Sequence, residues 1–164
     1  MAEGGELVTD IKKVLDEKGV YVSKTMGNSM EPMLVQGRDT VIIKKPVFPL
    51  KKFDVPVYRR KDHYTMHRII KVTPKGYVIC GDNRPDREYD ITEKDIVGVL
   101  EGFYQGDRYI ECGSEEELRY ARQAQKTYPK RAIRHLVFKA KRKLKRILKE
   151  KEQSGCAARR RRRS

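Results

Sequence analysis

The hexapeptide Gly27-Asn28-Ser29-Met30-Glu31-Pro32 holds a serine on a connection that cannot run straight on as helix or ladder. Gly27 can take backbone angles that other residues avoid, and Pro32 fixes its own φ and restricts Glu31. A serine held exposed on such a turn meets the first requirement of a nucleophile. A polar turn between two strands would read the same way. His67, followed by Arg68, lies inside a long apolar run, and Asp82 lies in Gly81-Asp82-Asn83, directly after a second one. Serine activated by an imidazole, itself oriented by a carboxylate, is the arrangement acyl transfer requires. Imidazole suits the base because a pKa of about 6.5 leaves it neutral at physiological pH.

These three residues need elements to bring them together. The runs before and after Gly76 are expected to pair as a hairpin. A strand rises about 3.3 Å per residue and its neighbour lies about 4.8 Å away, so residues 67 and 82 approach each other if the loop folds back. Taken singly, His67 also fits a satisfied sheet histidine, and Asp82 a turn aspartate bonded to its own backbone. His63, four residues earlier with the same expected facing, is a rival base, and His135 sits in a basic tail.

Leu7, Ile11, Val14 and Leu15 recur at helical spacing before Gly19, which predicts one short amphipathic helix. Strands are expected over 20–24, 40–44, 54–59, 63–72, 77–80, 96–104 and 108–112. Pro56 inside the third argues for an edge strand or a bulge. Many short strands with frequent turns predict a mainly β, curled or closed fold. A helix over 115–128 follows, with Ser114 as its cap and Glu117 at the capping-box position. The organisation expected is thus a helical segment 1–20, a β-rich domain 21–112, a helix and linker 113–129 and a tail 130–164.

Of 164 residues, 38% are hydrophobic and 37% charged, and the formal net charge is +15. Residues 130–164 hold 16 of the 38 basic and 2 of the 23 acidic residues, so they carry +14 and the rest of the chain +1. Ile133, Leu136, Val137, Ala140, Leu144, Ile147 and Leu148 keep one helical face of this tail. Lys139, Lys141, Arg142, Lys143, Lys145 and Arg146 fill the rest, and residues 159–163 are all arginine. A basic amphipathic helix suits an anionic membrane surface. Nucleic acid is the second expected partner, weakened because Phe138 is nearly alone as a stacking aromatic. Cys80, Cys112 and Cys156 have no metal-ligand spacing, which predicts reduced thiols rather than a zinc site or a disulfide framework. The acidic, glycine-rich start and the lack of a long apolar run predict neither an export signal nor a membrane-spanning anchor.

Ser29-Met30-Glu31-Pro32, Gly37-Arg38-Asp39, His67-Arg68-Ile69-Ile70, Gly81-Asp82-Asn83 and Ile96-Val97-Gly98 occur in the order seen in type I signal peptidases. Over roughly residues 21–104 the chain resembles that family. The resemblance implies a mostly β catalytic domain and a serine nucleophile that cleaves after small residues, without metal or cofactor. Bacterial members typically use a lysine where His67 stands. His-Arg here looks like the archaeal and endoplasmic-reticulum branch, whose base is histidine, assisted by one or two aspartates of the Gly-Asp-Asn region. Ser29 is then the nucleophile, His67 the base and Asp82 the orienting acid, with Asp86 as a second candidate. The Ser29 N–H would contribute to the oxyanion hole, and Met30 and Pro32 would meet the substrate.

The departures are specific. Bacterial members typically carry a serine where this chain has Gly27, so the Asn28 side chain is expected to replace that oxyanion donor. Phe53-Asp54 stands where the family often has Gly-Asp, and the transmembrane helix that normally precedes the serine is absent from the sequence. Self-cleaving repressor peptidases share the Gly-x-Ser-Met start but use a lysine base and a DNA-binding domain, for which 20 residues are too few. The expected function is a serine endopeptidase cutting a peptide or leader sequence, cytoplasmic or peripheral on the cytoplasmic membrane face. The alternative is a non-catalytic β-fold module tethered by its tail to anionic membrane or nucleic acid.

Overall fold

The computed structural model describes residues 10–60 and 63–161, with the backbone alone at 139, 144 and 146–161. Leu7, the acidic start and the last two arginines of the terminal run lie outside the described residues. The chain divides into two compact units, Met1–Thr127 and Tyr128–Ser164.

The first unit is mainly β. It opens with helix α1 (Ile11–Lys18), capped by the Asp10 carboxylate on the Lys12 and Lys13 N–H groups and stopped by Gly19 at φ 75°. Strands β1 (Val20–Lys24), β2 (Thr40–Lys44), β3 (Pro56–Arg60) and β4 (His63–Met66) follow. Next come β5 (Arg68–Thr73), β6 (Gly76–Cys80), β7 (Arg87–Ile91), β8 (Ile96–Gln105) and β9 (Arg108–Glu111). One sheet runs β1-β2-β8-β3-β4, with β9 paired on β8, and curls into a half-barrel. Its path ends on β1 and β4, so the barrel is curled rather than closed. A second, three-stranded sheet runs β5-β6-β7.

Two clusters of buried side chains form the core. Leu15, Met30, Leu34, Val41, Ile43, Val57, Leu100 and Phe103 fill the half-barrel. Tyr58, Ile69, Tyr77, Ile79 and Ile96 pack between it and the smaller sheet. Each fully buried aliphatic or phenyl side chain contributes about 1.5–3 kcal/mol, which fixes the two sheets as a frame.

The run 63–72, expected as one strand, is two strands in different sheets, and His67 is the residue between them. Met66 still pairs with Val57 of β3, whereas Arg68 already pairs with Cys80 of β6. Neighbouring residues of an extended chain face opposite ways. Arg68 turns its guanidinium into a buried acidic pocket, and the chain changes sheets to put it there. Pro56 is the first residue of β3, where no ladder N–H is required, and a bulge follows between Val57 and Tyr58. β3 lies between β8 and β4, so it is not an edge strand. Strand β7 was not expected. Helix α2 (Glu115–Arg161) is continuous, with Pro129 inside it, where two helices were expected. Ser114 Oγ accepts from the Glu117 N–H at 3.3 Å as a cap should. The Glu117 carboxylate does not close the capping box; it binds Arg68 and the Gly113 N–H.

Candidate active site

Ser29 opens a single tight turn anchored by Met30, Met33 and Leu34, whose i, i+3, i+4 spacing sends all three into the core. The turn closes with Leu34 N–H on Met30 O at 3.0 Å. Gly27 enters it at φ 76°, in the left-handed region that favours glycine. Gly37-Arg38-Asp39 braces the far end. The Asp39 carboxylate is fully buried, accepts from the Val35 N–H at 2.7 Å and pairs with Arg38. Burial pushes its pKa up, but the hydrogen bonds from Arg38 and Val35 hold it below the ordinary value.

Gly81-Asp82-Asn83 is bonded directly to this turn. The Asn83 N–H donates to Ser29 O at 2.8 Å, and Asn83 Nδ2 donates to Asn28 O at 3.0 Å. A Cβ on Gly81 would lie 2.7 Å from Ser29 O and 3.0 Å from His67 Cδ2. No side chain fits there, and the absence of one is what lets the serine turn approach the imidazole. Ser29 and His67 line the same cleft of about 960 Å3. The Ser29 side chain is half-buried, and among the described residues neither its hydroxyl nor its N–H has a hydrogen-bond partner. Ser29 and His67 thus share one cleft, with no hydrogen bond between them among the described residues.

His67 Nδ1 lies 2.9 Å from Glu88 Oε1 on β7 and 3.0 Å from the Tyr58 hydroxyl on β3. Tyr58 donates its own proton to the same Glu88 oxygen at 2.7 Å. Arg60 pairs with the other Glu88 oxygen at 3.1 Å. An ionised carboxylate only accepts, so Nδ1 carries the imidazole proton and Nε2 keeps the lone pair. Burial holds the His67 pKa below its ordinary 6.5, and Glu88 opposes that effect without reversing it. The ring is neutral at neutral pH.

Asp82 does not occupy the position expected of it. It forms a two-pronged pair with Arg68, Nε to Oδ1 and Nη2 to Oδ2 both at 3.0 Å. Arg68 Nη1 also donates to Phe53 O at 3.0 Å and to Glu117 of α2. Arg68, Asp82 and Glu117 are each under 5% exposed, at 1%, 4% and 3%. Asp82 therefore stabilises the frame beneath the site and does not orient His67. Phe53 presents its carbonyl at φ 83°, which costs a non-glycine residue roughly 1–2 kcal/mol. Its N–H bonds Ile69 O at 2.9 Å, and Ile69 N–H bonds Asp54 O at 2.8 Å, which seats β5.

Asp86 is exposed on the cleft rim and has no hydrogen bond to His67. The Asn28 Oδ1 accepts from Arg84 Nη2 at 3.3 Å, and Asn28, expected as an oxyanion donor, is not among the residues that line the cleft. Met30 is 4% exposed yet reaches the cleft wall, whereas exposed Pro32 lies outside the lining. His63 lines the cleft from β4, and no carboxylate orients it among the described residues. In the second unit Lys141, Arg142, Lys143 and Lys145 are exposed, and the side chains of Lys139 and Arg146 lie outside the described residues. Glu88 and Tyr58 are the side chains on His67 that sequence reasoning missed. The period-two placing of Tyr89 and Ile91 in Arg87-Glu88-Tyr89-Asp90-Ile91 is the signal for the strand that carries Glu88. No protein-family model matches this chain, and no curated protein matches it.

Proposed function

We propose that the chain is a serine endopeptidase resembling type I signal peptidases of the histidine-base branch, with Ser29, His67 and Glu88 as its catalytic groups. One observation carries the reading. A neutral, buried imidazole is held in a single tautomer by the Glu88 carboxylate, in the same cleft as a serine whose hydroxyl and N–H are both unengaged among the described residues. In the first step Ser29 Oγ attacks the scissile carbonyl while His67 Nε2 takes its proton. Glu88 stabilises the imidazolium, and the Ser29 N–H faces the developing oxyanion. The imidazolium then protonates the departing amine as the C–N bond breaks. Water, deprotonated by the same ring, releases the acyl group. Among the described residues β1 and β4 each pair on one side only, and both border the cleft through Tyr21, Ser23, Tyr64 and Thr65. An extended peptide can add to such an edge by main-chain hydrogen bonds. The φ of Phe53 adds support, since it favours glycine at a position where the family often has one.

The competing reading, a non-catalytic module, leaves the Tyr58–His67–Glu88–Arg60 arrangement without a role. A serine-directed acylating probe separates the two. The peptidase should form one adduct, on Ser29, and a binding module none.

The second unit supports attachment to an anionic membrane surface. Ile133, Leu136 and Val137 are 62%, 65% and 47% exposed on one helical face, with exposed Lys141, Arg142, Lys143 and Lys145 beyond it. No helix among the described residues is long and apolar enough to cross a membrane. Each cation near such a surface is worth about 1 kcal/mol, and the apolar face adds to that. The full chain should co-sediment with phosphatidylserine-containing vesicles, not with phosphatidylcholine alone, and Leu136→Glu with Val137→Glu should abolish this. Binding to duplex oligonucleotide that survives the double substitution, with no vesicle binding, would assign the tail to nucleic acid.

A further inference from the structure

The peptidase reading leaves the cleft's charge unexplained. Lys24, Arg60, Arg84 and Arg87 line it, against Asp86 and Glu88. Glu88 is already engaged by His67 and Arg60. Arg84 has no carboxylate partner among the described residues; its Nη2 meets the neutral Asn28 Oδ1 at 3.3 Å. Lys24 likewise meets a neutral group, the Arg38 carbonyl, at 3.3 Å.

Arg84 is also close to the reacting groups. Its Cγ, Ser29 O and His67 Cδ2 all lie within 3.0 Å of the point where a Gly81 side chain would begin. The Arg84 side chain therefore leaves the backbone beside the Ser29 carbonyl and the edge of the His67 ring. Its charge is among those that hold the His67 pKa down. Covering an unpaired cation with substrate removes its water, and that costs free energy unless the substrate brings an opposite charge. A guanidinium beside a partly apolar cleft is suited to a planar carboxylate, which it can bind through two parallel N–H donors.

We infer that the substrate is an acidic peptide, with an Asp or Glu side chain next to the scissile bond held by Arg84, and Lys24 serving as a second cation farther along the cleft. This rests on the peptidase reading and names the substrate class of the same site.

The test uses peptide pairs that differ only by Glu against Gln at each position flanking the cleaved bond. At one position the Glu member should have the higher kcat/KM, by about 10- to 100-fold, the range of a charge-assisted hydrogen bond. Arg84→Gln should bring that ratio close to one, and Arg84→Glu should reverse it in favour of a Lys-bearing peptide. Equal rates for Glu and Gln at every position would overturn the inference. So would a loss in Arg84→Gln that is equal for both members, since Arg84 would then act on the reacting oxygen and not on the substrate's charge. Equilibrium binding of the same pairs to the Ser29→Ala chain, read by fluorescence anisotropy, keeps the two proposals apart. A Glu preference in that binding, with no turnover by the unsubstituted chain, would sink the peptidase and retain the acidic ligand. Equal binding of both members would sink the acidic ligand.

Discussion

Ser29→Ala should lower kcat/KM for a cleaved peptide by at least about 10,000-fold, with the thermal unfolding transition unchanged. The size follows from the loss of the nucleophile, which leaves only binding and oxyanion stabilisation to act on substrate. Unchanged stability follows from the geometry. The Ser29 hydroxyl has no hydrogen-bond partner among the described residues, so its removal strands no buried group. The turn is held by the Ser29 carbonyl on Asn83 and by the burial of Met30, Met33 and Leu34, none of which the substitution touches. A surface-type effect within about 0.5 kcal/mol is the expectation. Kinetics and thermal unfolding on the same preparation check both halves. Retained turnover, or a large drop in stability, would remove Ser29 from the role given to it.

Glu88→Gln should cost about 100- to 10,000-fold in kcat/KM, whereas Asp82→Asn should mainly cost stability. The introduced amide can donate to Nδ1, which moves the imidazole proton to Nε2 and leaves no lone pair where the base must act. Asp82 stands on the other side of the chain, against Arg68. Replacing it by Asn removes one charge from a buried pair and weakens two charge-assisted bonds, at about 1.5–3 kcal/mol. Arg68 keeps Glu117 and the Phe53 carbonyl, which limits the loss. Measuring kcat/KM and unfolding free energy for both variants gives a crossed pattern. If Asp82→Asn is the one that loses activity at full stability, the roles assigned to the two carboxylates are exchanged.

Much of the fold is legible in the sequence because it is written locally. The serine turn, β1, β2, the β5–β6 hairpin and the β8–β9 hairpin each follow from apolar alternation and from glycine, proline or aspartate at the turns. What was not legible depends on contacts between distant elements. Nothing in the uniformly β-forming run 63–72 marks His67 as the place where the chain leaves one sheet for another. That break comes from the pairing of Met66 with β3 and of Arg68 with β6. The same break separates the fates of neighbours. Asp82 lies within reach of either His67 or Arg68 by sequence spacing, and only the facing of the two side chains assigns it to arginine. Glu88 escaped because β7 is short and charge-rich, so its strand character rests on two apolar residues, Tyr89 and Ile91. Phe53 stood out in the sequence as a departure, and the structure gives the reason: its φ of 83° is one that glycine adopts without strain.

In the proposed mechanism His67 is a neutral base that activates Ser29, and the pH dependence of Ser29 acylation by a serine-directed probe tests this most directly. Burial lowers the His67 pKa, so its unprotonated form persists below the ordinary 6.5. The acylation rate should therefore be constant at neutral and mildly alkaline pH and fall on the acid side with its midpoint below the ordinary 6.5, as the ring takes a proton and its lone pair is lost. In His67→Ala the adduct should form at least about 1,000-fold more slowly, roughly what a removed general base costs. A rate that is flat through the acid range, or labelling of Ser29 that proceeds equally well without His67, would contradict the mechanism.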